Sequence, residues 1–156
     1  MKRKIRCSIQ GILIVVFLEA IAVRSGYAKD GFLNSSVEEV TAVLGKAVSH
    51  ENGNVSGIAY ERYHFETEGW KTTVLFINGK AQKLDTEKSD GLPLTAGEKT
   101  AVFDRYDLSD TGQNSRIRGW RELSEGQFIR GDGRVRVTMR TNLITIFLDD
   151  LPREFL

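Results

Sequence analysis

Residues 70–84 read WKTTVLFINGKAQKL. In an extended chain Trp70, Thr72, Val74 and Phe76 share one face, and Leu75 and Ile77 take the other, because successive strand side chains point to opposite sides. Asn78-Gly79 follows, a strong two-residue hairpin signal because both central positions need positive φ. Lys80 to Leu84 is then the returning strand. A ribbon with one apolar face must bury that face against another layer.

Upstream, Ile58 to Phe65 is rich in aromatic and aliphatic residues and reads as a further strand. Before it, Ser36-Val37-Glu38-Glu39 forms a capping box: the serine hydroxyl accepts from the third helical N–H while the glutamate reaches back to the N-cap. Val37, Val40 and Leu44 fall on one side of that helix, and Gly45 suits its end. Thr95-Ala96-Gly97-Glu98 repeats the box, with Val102, Phe103 and Tyr106 as its apolar side. Gln127 to Arg130 leads into Gly131-Asp132-Gly133. Val135, Val137 and Met139 then alternate with Arg134, Arg136, Thr138 and Arg140. Thr141-Asn142 turns the chain into Leu143 to Leu148, an apolar strand.

These signals predict an α+β fold: two tandem units, residues 35–88 and 94–150, each a helix plus three antiparallel strands, with the helices packed on one face of the sheet. Chance likeness of two such segments is the alternative to a true repeat.

The first 28 residues have a different character. Lys2, Arg3, Lys4 and Arg6 make a basic head, and Ile9 to Leu18 is an apolar run broken only by Gln10 and Gly11. Gly26 and Ala28 are small enough for a cleavage site, with Ala20 and Ala22 as an earlier option. This is the layout of a secretory signal, 1–28, ahead of a domain at 29–156. A retained anchor is the competing reading, but Glu19 cuts the run short of the ~20 apolar residues a spanning helix needs. The expected location is therefore exported, periplasmic or extracellular, with no membrane span after cleavage.

Cys7, the one cysteine, lies in the basic head, so residues 29–156 hold no disulfide, thiolate metal site or cysteine nucleophile. The first 28 residues carry five of the 22 basic and one of the 21 acidic residues, leaving 17 basic and 20 acidic groups, net −3. Those charges are interspersed, unlike the basic face of a nucleic-acid binder.

Residues 37–46, VEEVTAVLGK, resemble the opening helix of the SmpA/OmlA outer-membrane assembly lipoproteins. The similarity continues through Tyr60-Glu61-Arg62-Tyr63 and Val74-Leu75-Phe76-Ile77-Asn78-Gly79-Lys80. That family shares its helix-then-hairpin fold with the β-lactamase inhibitory proteins, which carry two copies in tandem, and the doubled pattern is similar to that form. The chain departs from both: it has neither a lipid-bearing cysteine after the apolar run nor disulfides.

No motif assembles a catalytic or metal site. His50 beside Glu51 and His64 near Glu66 read as a loop and a strand histidine rather than a converging ligand set. Asp110-Thr111-Gly112 spells the aspartic-protease signature but sits in a polar stretch without a second copy, and reads as a loop. Arg130-Gly131-Asp132 matches the integrin tripeptide and equally a hairpin turn. Asn34-Ser35-Ser36 and Asn54-Val55-Ser56 are glycosylation acceptors in a eukaryotic pathway alone. Asp149-Asp150 reads as a charged strand end.

Surface recognition remains. Tyr60, Tyr63, Trp70 and Trp120 are the candidate interface residues, since exposed Trp and Tyr dominate binding hot spots. The same rings also fill small cores. The expected function is a non-catalytic protein-binding module of the cell envelope, neither an enzyme nor a user of metals or cofactors, with another envelope or extracellular protein as partner. The alternatives are an inhibitor of a secreted hydrolase and an enzyme with an unrecognised site.

Overall fold

The computed structural model describes residues 32–105 and 119–156. The signal segment with Cys7, Tyr106 and the Asp110-Thr111-Gly112 stretch lie outside them. In chain order come α1 (Val37–Leu44), β1 (Ser49–Val55), β2 (Ile58–Thr67), β3 (Trp70–Ile77), β4 (Lys80–Lys88) and α2 (Ala96–Arg105). Then follow β5 (Trp120–Ser124), β6 (Gln127–Arg130), β7 (Val135–Met139), β8 (Leu143–Leu148) and a 3-10 turn, Arg153–Phe155. All eight strands form one antiparallel sheet, ordered β1-β2-β3-β4-β8-β7-β6-β5.

This corrects the α+β expectation. The fold is β-rich: eight strands against two helices of 8 and 10 residues, not tandem units of one helix and three strands. β1 and β5 are the strands that a reading by alternation misses. They read SHENGNV and WRELS and sit at the sheet's two edges. An edge strand meets solvent on more sides than a central one, so its side chains need not alternate. β4 also runs on to Lys88, past the expected end at Leu84, with Thr86 buried in mid-sheet.

Both capping boxes form. Ser36 N donates to Glu39 Oε2 at 2.7 Å and Glu39 N to Ser36 Oγ at 3.3 Å. Thr95 N donates to Glu98 Oε2 at 2.8 Å and Glu98 N to Thr95 Oγ1 at 3.2 Å. The β3–β4 turn takes φ of 52° at Asn78 and 70° at Gly79, the double positive φ of a type I′ hairpin.

Side chains from alternate positions line up across the sheet. Tyr63, Val74, Leu84, Ile146, Val137 and Phe128 occupy one inner row. Val40 of α1, Leu94 before α2 and Val102 within it belong to the same buried cluster, so both helices cover this face. A register shift opposite Leu75 and Phe76 adds Gln82 to β4. The extra residue lets Ala81 and Leu84, three apart, both point inward, as a bulge does.

The opposite face carries Arg62, Leu75, Lys83, Phe147, Arg136, Ile129 and Arg121 in the neighbouring row. No helix covers it. Residues 151–156 instead fold back across part of it, burying Leu151 and Phe155 against Leu75 in a second, smaller core.

Candidate binding site on the open face of the sheet

The four candidate rings do not share a surface. Tyr60 of β2 is on the open face. Its ring lies over Gly53 of β1, its direct partner, so closely that a Cβ there would sit 2.3 Å from the ring. Phe155 meets it edge-on at 5.4 Å and 77°, and the Arg62 guanidinium lies 4.9 Å from its centroid. Tyr63, Trp70 and Trp120 are half-buried against the helix-covered core. Tyr63 stacks on His50 at 4.2 Å and donates its hydroxyl to Glu61 at 3.1 Å. Burial, then the Glu61 carboxylate, raise its hydroxyl pKa above the ordinary value.

The histidines also separate. His50 joins Tyr63 and Glu61, with Nε2 3.3 Å from the carboxylate, while His64 Nδ1 lies 2.9 Å from Thr73 Oγ1. Among the described residues no three potential ligands gather around a metal position. Arg130-Gly131-Asp132 closes on itself at the β6–β7 turn. The Arg130 guanidinium donates twice to the Asp132 carboxylate, at 2.9 and 2.6 Å, and Arg134 N donates a third bond at 3.0 Å. The guanidinium, then that backbone bond, hold the Asp132 carboxyl below its ordinary range. The tripeptide is thus a turn whose charged ends are engaged with each other.

The larger concavity is an open cleft of about 730 Å³ on the uncovered face. Phe147 and Thr145 of β8, with Arg136 and Thr138 of β7, form its floor. Leu151, Arg153 and Leu156 of the returning segment wall one side, and Leu123 of β5 stands on the other. A polar chain ties floor to wall. Thr145 Oγ1 donates to Asp85 at 2.6 Å, Lys83 Nζ lies 3.3 Å from Asp85, and it donates to the Phe155 carbonyl at 3.1 Å. Arg136 pairs with Asp149. So Asp149, expected as a bare strand end, is engaged in the cleft, and neither histidine lines it.

The aromatic count missed these groups because they occupy the outward positions of β4, β7 and β8. One signal was on the page: β8, LITIFL, is apolar at outward positions 143 and 147 as well as inward ones. Apolar residues on both sides of a strand mean that both sides are at least partly covered.

Protein-family models, curated proteins and solved structures offer no match to this chain. Among the described residues no helix is long and apolar enough to cross a membrane.

Proposed function

We propose that the chain is an exported, non-catalytic protein-binding module of the cell envelope or exterior that engages its partner through the open face of the sheet. The observation that carries this reading is the cleft with its rim: Leu123 and Leu156 are 43% and 66% exposed beside arginine side chains. Strands spaced about 4.8 Å apart make eight of them about 34 Å wide, and strands of about six residues are about 20 Å tall. The resulting area, of the order of 700 Å², approaches the roughly 800 Å² per partner of a standard protein–protein interface. A small ligand would need a deeper, more enclosed site.

The same breadth favours one second reading, inhibition of a secreted hydrolase by covering its active-site mouth. Screening the purified protein against extracellular hydrolases tests it, and absence of inhibition at micromolar protein discards it.

The primary test places a photo-crosslinking residue at Leu123 or Arg140 on the open face, and at Ala42 on α1 as the control. Irradiation in the native envelope extract is expected to give one partner adduct from the first two positions and none from the third. Equal adducts from all three, or none from the open face, would refute the reading.

A further inference from the structure

We propose that the cleft accepts an acidic segment of a partner protein that also carries leucine- or phenylalanine-like anchors; this rests on the protein-binding reading above. The pairing of charges points to it. Asp85 is held by Thr145 and Lys83, and Asp149 by Arg136. Arg140 and Arg153 also line the cleft, and Arg121 lies two residues from Leu123 on β5. None of the three makes an ion pair or side-chain hydrogen bond among the described residues. Asp150 is the one cleft carboxylate in that condition, while Glu87 and Glu154 lie outside the lining. Three guanidinium groups against one carboxylate leave the site short of anions. A guanidinium fork matches a carboxylate with two parallel hydrogen bonds and is weakly hydrated, so it is suited to such pairing.

The apolar half of the partner's chemistry comes from exposure. Four large apolar side chains are strongly exposed among the described residues, and two of them, Leu123 and Leu156, line this cleft. The chain itself shows how a segment lies on this face. Residues 151–156 seat the Phe155 ring against Tyr60 and Leu75 while Lys83 binds the Phe155 carbonyl. A partner segment laid beside this strap meets the same mixture of apolar seats and cationic donors.

The test measures binding of the full chain to a fluorescent peptide alternating glutamate with leucine and phenylalanine. Its companions are the same peptide with lysine for glutamate, one with serine for the apolar residues, phosphatidylglycerol vesicles, and a thymidine oligonucleotide. The glutamate–leucine peptide is expected to bind, and to weaken as salt rises. R140E and R153E should each weaken it about tenfold, the loss of one charge-assisted pair. L123D should also weaken it, and K46E, a charge reversal at an exposed position on the helix-bearing side, should leave it unchanged. The altered side chains are exposed, and a circular dichroism melt of each variant verifies its fold.

Three results overturn the proposal: no peptide binding, equal binding of the lysine peptide, or vesicles or oligonucleotide binding with the arginine sensitivity predicted for the peptide. A crosslinked partner without peptide affinity rejects the acidic chemistry alone. Loss of both rejects the protein-binding reading as well.

Discussion

Phe155→Ala should detach the returning segment from the open face. Phe155 is 5% exposed, seated on Leu75 and Leu151 with Val55, Ile58 and Ile77 beside them, and its ring meets Tyr60 edge-on. In a rigid core, Phe→Ala costs about 3–5 kcal/mol, because the cavity left behind adds to the lost transfer energy. Here the segment is short and its 3-10 turn has few anchors, chiefly the Lys83 bond to the Phe155 carbonyl. It can lift away and let water in, so much of the cavity cost relaxes. What remains is the burial of one ring, about 2 kcal/mol, and the edge-on pair, about 1 kcal/mol, giving about 3 kcal/mol. Urea unfolding measures the total, with an unchanged slope showing that the unfolded state is not altered. Hydrogen exchange locates the effect: amides of 151–156 should exchange faster while those of β7 and β8 stay protected until global unfolding. A double-mutant cycle with Tyr60→Leu should return a coupling of about 1 kcal/mol. A loss below about 0.5 kcal/mol with unchanged exchange at the segment would show that it does not hold this face.

Gly53→Ala places a methyl where the Tyr60 ring lies, so the ring must swing off β1 and away from Phe155. A cost of about 1–3 kcal/mol and altered tyrosine near-UV dichroism are expected, and a neutral result would mean the ring is not fixed there. Ser89 Oγ is a buried hydroxyl with no hydrogen-bond partner among the described residues. Ser89→Ala should therefore be neutral or stabilising by up to about 1 kcal/mol, read as a shift in urea midpoint. Glu98 is held down to about 2 from an ordinary 4.5, first by the Thr95 backbone N–H, then by Lys88. A lowered folded-state value means its contribution to the α2 cap is complete above pH 4.5 and is lost as pH falls through about 2. A carbon-13 titration of the Glu98 carboxyl should show that low midpoint, and Lys88→Met should move it part of the way back up.

How much of this was legible follows from what each residue meets. The caps at Ser36 and Thr95 are satisfied by groups three residues away, and the Asn78-Gly79 hairpin needs only its own two φ angles. The inward side of β3 and β7 was legible for a similar reason, since Val74 and Val137 stand in a repeating row with polar residues between them. β1 and β5 were not, because at an edge the backbone ladder to one neighbour makes the strand and the side chains carry little periodic signal. Of the candidate rings, Tyr60 came out on the open face and the other three against the covered core.

The sequence by itself determined where helices begin, where the hairpin turns and which side of each inner strand is greasy, because those depend on contacts within a few residues or on alternation along one strand. Only the tertiary structure decided that β4 meets β8, that both helices cover the same face, and that residues 151–156 wall a cleft on the other. Lys83 and Phe155 are 72 positions apart, and Asp85 and Thr145 are 60. Pairings over such separations are fixed by how whole layers bury their apolar sides together, which no local pattern encodes.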